Sequence, residues 1–214
     1  MSDRHAGYET DRPDIQAHVP TAARSILELG CSAGALGAAL KDRAPEPVTV
    51  VGVELDADHA QTAAQRLDRV VVGDAEGFLA GPWPPEAPFD CLIAADVLEH
   101  LVDPWSALSR AVALVRPGGT VIVSVPNVLF FGALLRVLRE RRWPRDPEGV
   151  FDRTHLRWFS RSDAEELVRG AGLHDIQIEP RFFVEGRSLR RRRRLARTPL
   201  APFLPVQHIV TGVR

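Results

Sequence analysis

Sulfur and tyrosine are scarce in this chain: two cysteines, one methionine and one tyrosine among 214 residues. Cys31 and Cys91 cannot build a disulfide framework, and neither sits in a CxxC pair, so the expectation is a reduced, cytoplasmic protein. Long hydrophobic runs are also missing. No stretch reaches the roughly 18 apolar residues of a membrane-spanning helix, and the opening MSDRHAGYETDRPD is too polar for a signal peptide. Lysine is almost absent, Lys41 being the sole one among 27 basic residues, a bias that reads as base composition rather than recognition. What is present argues for a folded domain, since 45% hydrophobic and 26% charged residues exclude disorder. The length suits one domain spanning residues 1–214. A net charge of −1 conceals a division: residues 1–127 carry 9 Lys+Arg against 18 Asp+Glu, a balance of −9, while residues 128–214 carry 18 against 10, a balance of +8. The second part is therefore the one suited to an anionic partner.

Short β-branched runs alternate with helical patterns through the first 127 residues. Strands are expected at Arg24–Leu29, Val48–Glu54, Arg69–Val72, Phe89–Ala94 and Gly118–Ser124, with helices at Ala35–Asp42, about Ala57–Leu67 and Pro104–Val115, and a Pro-rich loop at Gly81–Pro88. Such alternation implies βαβ crossovers and a parallel, doubly wound α/β sheet covered on both faces. After Pro126 the rhythm changes. Val128–Arg142 reads as an apolar helix with a basic end, Trp143–Phe159 as irregular, and Ser160–Gly172 as a helix capped by Ser160 or Ser162. His174–Glu179 and Val206–Val213 read as two late strands. The domain thus divides into a core at 20–127, an insert at 128–160 and a C-terminal helix and strand pair at 161–214.

In such a sheet ligands bind beyond the carboxyl ends of the strands, at the switch point. The first strand runs into Gly30-Cys31-Ser32-Ala33-Gly34, small residues that let backbone approach a ligand ahead of a helix N-terminus. The second ends in Glu54, 20 positions beyond Gly34, where an acidic residue commonly meets a ribose hydroxyl pair. The third is followed by Gly73-Asp74-Ala75, whose carboxylate suits an exocyclic amine. The glycine turn alone is a weak signal, because it reads GxxxG rather than GxGxxG. Three features at three successive strand ends are specific together.

The stretches ILELGCSAG, VGVELDADH, VVVGDAEGF, FDCLIAADVLEHLVDP and LVRPGGTVIVSVPN, with the later GVFDRTHLRWFSRSDAEELVRGAGL, resemble the class I S-adenosylmethionine-dependent methyltransferases. The resemblance implies a seven-stranded, mostly parallel sheet with the last strand antiparallel, and a helical lid inserted after strand five. Carried over position by position, it places Glu28, Gly30, Ser32 and Gly34 around the methionine part of the cofactor. It also places Glu54 on the ribose, Leu55 against the adenine, Asp74 and Ala75 on the adenine edge, and Ala95 and Asp96 before the sulfonium and the acceptor. Tyr8 and Arg12 match the segment that closes over the cofactor. Ser32 departs from the family, which often has glycine there. The activity implied is methyl transfer to a small molecule, chiefly at oxygen, in secondary or cell-surface metabolism; the alternative is a non-catalytic cofactor-binding partner of a biosynthetic enzyme.

An oxygen acceptor benefits from a base. His155, on the loop returning from the insert, and His100 are the candidates, with Asp96 beside them. Asp96, Glu99 and His100 stand at i, i+3 and i+4, so they either share a helix face able to ligate a divalent metal or buttress the cofactor site; the site is read as metal-free. Asn127, Trp158 and His208 are placed at the acceptor. Val128–Leu135, with Arg136, Arg139, Arg141 and Arg142 behind it, is either a lid or a face for a membrane or lipid-linked substrate. The run Arg190–Arg194 has no interleaved aromatics, which argues against nucleic acid.

Overall fold

The computed structural model describes residues 10–182 and 198–214. One seven-stranded sheet organises them in the order β3-β2-β1-β4-β5-β7-β6. Its strands are β1 (Ser25–Leu29), β2 (Thr49–Glu54), β3 (Arg69–Val72), β4 (Phe89–Ala95), β5 (Val115–Pro126), β6 (His174–Arg181) and β7 (Gln207–Val213). β1 to β5 pair in parallel, and β7 lies antiparallel between β5 and β6. The chain therefore winds outward from β1 in one direction and from β4 in the other, which opens the switch-point crevice at the carboxyl ends of these two strands.

The sequence explains this layering. β1, β2 and β4 are almost continuously apolar and buried, as strands covered on both faces must be. Alternate residues feed two cores. Leu27, Leu29, Leu92 and Val123 belong to one, while Ile26, Val50, Ile93 and Ile122 belong to the other. Helices α1 (Pro13–Gln16), α2 (Ala35–Arg43), α3 (Ala57–Ala63), α4 (Ala75–Ala80), α5 (Pro104–Ala113), α6 (Phe131–Glu140) and α7 (Arg161–Gly170) flank the sheet and its ends. Asp56, Asp74 and Asp103 cap α3, α4 and α5, and Ser160 with Asp163 forms a capping box on α7.

The departures from the sequence reading are local. α3 stops at Ala63 rather than Leu67, because the chain turns there and Leu67 drops into the core beside Gly34. α1 and α4 were not expected; at four and six residues they are too short for periodicity to reveal. The insert begins and ends at one place, since Val128 N donates to Phe159 O at 2.9 Å and Asn127 bridges Phe159. Within it, Arg136 ties α6 to the irregular stretch through Asp146, while Glu140 pairs with it within the helix.

His208 lies on β7 next to Gln207, whose side chain reaches Asp96, and successive strand residues face opposite sides of a sheet. The expectation that His208 lines the acceptor pocket is thus overturned: the ring is 1% exposed and neither nitrogen has a partner among the described residues. Burial, with Arg161 adding to it, holds its pKa down at about 4 from 6.5. The unfolded chain takes up this proton before the native state does, so stability falls as pH drops from 6.5 towards 4 and is unaffected above that window. By about pH 5 the loss amounts to about 2 kcal/mol. Urea denaturation of wild type and His208→Leu at neutral and acidic pH should show the wild type losing more; parallel losses would contradict a buried neutral imidazole.

Candidate active site

A cavity of about 740 Å³ opens at the carboxyl ends of β1, β2 and β4. Each strand delivers one part of it. After β1 the backbone turns through Gly30 at φ +67° and Ser32 at φ +48°. A Cβ on Gly30 would stand 2.5 Å from Val97 Cγ2, so a side chain here would collide with the chain just beyond β4. Gly30 N and Cys31 N both donate to Val53 O, and Ser32 N donates to Glu54 Oε2 at 2.8 Å, which stitches the turn to β2. Ser32 stands in the left-handed region, the conformation that glycine most readily adopts, and this is the physical content of its departure from the resembled pattern. Gly34 does not line the cavity; it caps α2 at φ +78°, with Ala63 Cα 3.1 Å from where a Cβ would lie.

Glu54 ends β2 with its second oxygen accepting from Asp56 N at 2.8 Å. Leu55, 73% exposed, follows along the rim. Asp74 caps α4 by accepting from Gly77 N, and with Ala75 it closes the third side. Glu28 is buried beneath the turn. Its pKa is pushed up to about 8 by desolvation, with Glu54 adding to the rise and Arg12 opposing it, so this carboxyl is largely protonated at neutral pH.

At the end of β4, Ala95 and Asp96 line the cavity. Asp96, at φ +58°, is held by three donors: Arg12 Nη1 at 2.6 Å, Ser124 Oγ at 3.0 Å and Gln207 Nε2. Ser124 and Gln207 escaped the sequence reading; the alternation of β7 around His208 was the one signal that could have exposed Gln207. Arg12, itself at φ +47°, reaches the site from the segment before β1 and also binds Asp14.

The shared helix face expected of Asp96, Glu99 and His100 does not form. Only Leu98–His100 makes a turn, of the 3-10 type, and Asp96 precedes it with its carboxylate committed to Arg12. The neighbour of Glu99 and His100 is instead His155, whose ring meets that of His100 edge-on with centroids 4.7 Å apart. His100 and Thr154 line the cavity, whereas His155, expected at its mouth, is buried behind them. Burial, then the proximity of His100, lowers the His155 pKa, and burial beside Asp96 raises that of Glu99 well above the carboxylate range. Glu99, His100 and His155 each bring one ligand atom within 4.8 Å of the others, a set able to hold a metal among the described residues.

Two acceptor residues are corrected. Asn127 is fully buried, its Nδ2 donating to Pro202 O and Pro205 O and its Oδ1 accepting from Leu129 N, so it pins a turn and has no free group for a ligand. Trp158 lies off the cavity and packs edge-on against Trp143 at 5.1 Å. Tyr8 and Arg190–Arg194 fall outside the described residues.

Comparison with known proteins gives this arrangement a context. Residues 9–178 match the family model described as a methyltransferase domain. A ubiquinone biosynthesis O-methyltransferase of Burkholderia ambifaria is 28% identical over 169 residues, covering 77% of this chain and 71% of that protein. A trans-aconitate 2-methyltransferase of Azoarcus is 33% identical over 115 residues, covering 53% of this chain and 44% of the other. Among solved structures, an S-adenosylmethionine-dependent methyltransferase of Thermotoga maritima, described as a possible histamine N-methyltransferase, superposes with a TM-score of 0.66 at 20% identity, over 97% of this chain and 88% of that one.

Proposed function

This chain belongs to the S-adenosylmethionine-dependent methyltransferases, and on that footing we propose that it methylates a hydroxyl of a small-molecule acceptor in secondary or cell-surface metabolism. The observation that carries the proposal is the sharing of one cavity by Glu54, Asp74 and His100, two carboxylates at consecutive strand ends and an imidazole on the wall beyond β4. The residues fit the cofactor. The Glu54 and Asp74 oxygens keep lone pairs beyond their present backbone bonds, and both face the cavity. In this reading Glu54 accepts from the ribose hydroxyls beside Leu55, and Asp74 accepts from the adenine amine while the Ala75 N–H donates to the ring. Glu28, Gly30 and Ser32 surround the methionine part, and Arg12 closes over it from the N-terminal side.

S-adenosylmethionine supplies an electrophilic methyl group on a sulfonium. The chain's own contribution is placement: the acceptor oxygen must reach about 3 Å from the methyl carbon on the axis of the breaking bond. Ala95 and Asp96 bound that space, with Asp96 fixed by Arg12, Ser124 and Gln207. The acceptor hydroxyl loses its proton beside His100, and His155 holds His100 from behind. The relative named for O-methyl transfer supports oxygen as the atom methylated. An apolar stripe on α6, Phe131, Leu135 and Leu138, is exposed beside Arg139, which suits an amphiphilic or lipid-linked acceptor.

The test is turnover with a panel of phenols, hydroxy acids, glycosides and amines, read by mass spectrometry of the methylated product. O-methylated products are expected. Methylation confined to amines would overturn the oxygen assignment. Tight S-adenosylhomocysteine binding with no turnover on any acceptor, even in the presence of partner enzymes, would favour a non-catalytic role.

A further inference from the structure

We propose that Glu99, His100 and His155 bind one divalent transition-metal cation at the acceptor end of the cavity, an assignment that rests on the methyl-transfer reading of that cavity for its use but not for its chemistry. Glu99 is 1% exposed and neither of its carboxylate oxygens has a hydrogen-bond partner among the described residues. Buried carboxylates are rarely left so, because desolvation without compensation is costly. A cation is the partner that satisfies both the charge and the lone pairs.

The two histidines are set in the tautomer a metal requires. His155 Nδ1 lies 3.2 Å from Val150 O, a group that only accepts. His100 Nδ1 lies 3.3 Å from Thr154 O and 3.0 Å from Thr154 Oγ1. The Thr154 hydroxyl spends its own proton on Asp152 Oδ1 at 2.7 Å, so towards His100 it too accepts. Both Nδ1 atoms therefore carry hydrogen, and each Nε2 presents a lone pair. A ring N–H anchored on a backbone carbonyl is the usual support of a ligating imidazole. One ligand atom from each residue lies within 4.8 Å of the other two, a spacing that bonds of about 2.0–2.3 Å bridge after a small inward adjustment.

Two imidazole nitrogens and one carboxylate oxygen favour zinc, manganese or cobalt over magnesium or calcium, which seek oxygen donors. Three protein ligands leave a coordination position open. His100 and Thr154 line the cavity, so that position faces the acceptor space. With the cation bound, His100 acts as a ligand in place of a base: the cation would serve as a Lewis acid that makes an acceptor hydroxyl more acidic, the released proton passing to solvent and the metal keeping its oxidation state.

Cobalt(II) titration of tag-free full-length protein, stripped with EDTA and dialysed, tests the site through the visible absorption of the bound ion. One Co²⁺ per chain is expected, displaced by Zn²⁺. His155→Ala, His100→Asn and Glu99→Gln should each weaken binding about 10–100-fold. S-adenosylhomocysteine affinity, measured on the same samples, confirms that each variant is folded. Wild type that binds S-adenosylhomocysteine but no cobalt, or variants that bind cobalt as tightly as wild type, would overturn the site. Cobalt binding without any S-adenosylhomocysteine binding would instead sustain the site and remove the methyl-transfer reading.

Discussion

Glu54→Ala is expected to weaken S-adenosylhomocysteine binding by about 1.5–3 kcal/mol, roughly 10- to 150-fold in Kd. Glu54 has two tasks. Its oxygens already accept from Ser32 N and Asp56 N, each at 2.8 Å, which fixes the loops that follow β1 and β2. The lone pairs left over are those proposed for the ribose hydroxyls. Alanine removes the acceptors and also frees two N–H groups that hold the cavity rim. The glycine turn keeps its own anchor, since Gly30 N and Cys31 N bond to Val53 O rather than to Glu54. The variant should therefore fold with a near-normal denaturation midpoint while calorimetry records the weakened titration. Unchanged affinity would mean that the ribose lies elsewhere in the cavity.

His100→Asn is expected to lower turnover by about 10²-fold, whether its Nε2 takes the acceptor proton or holds the cation that acidifies the acceptor, while leaving S-adenosylhomocysteine affinity within about threefold. His100 is the imidazole on the cavity wall beyond β4, and its Nδ1 is already engaged by Thr154. Asparagine keeps polarity and reach but has no lone-pair nitrogen to offer. Single-turnover rates with saturating cofactor separate the effect on chemistry from the effect on binding. A near-normal rate would leave positioning by Asp96 and its three donors as the whole of the chain's contribution.

The sheet was legible in the sequence because its strands are buried on both faces and its helices carry the connections. β1, β2 and β4 read as almost unbroken apolar runs for that reason, and the small, acidic and acidic residues that follow β1, β2 and β3 marked the cavity. Glu54, Asp74, Ala95 and Asp96 all line it. What escaped depends on chain reversals that no local pattern encodes. Asp96 was grouped with Glu99 and His100 by helical spacing, but its left-handed backbone breaks that spacing before the short turn begins. Gln207 and Ser124 reach Asp96 from strands paired only in the folded sheet. Asn127 has the composition of a ligand-binding residue, yet its three bonds are all spent on the backbone of 129, 202 and 205. His155 belongs to the loop that returns from the insert, as its place in the sequence implies, but its depth behind His100 is a packing outcome that no motif encodes.

Isothermal titration of the intact chain with S-adenosylhomocysteine, alongside NAD⁺ under the same conditions, tests most directly whether the cavity at Glu54 and Asp74 is a methyl-donor site. One S-adenosylhomocysteine per chain should bind, and the Glu54→Ala variant should bind it at least about tenfold more weakly, with no saturable heat from NAD⁺. Saturable NAD⁺ binding with none for S-adenosylhomocysteine would contradict that assignment.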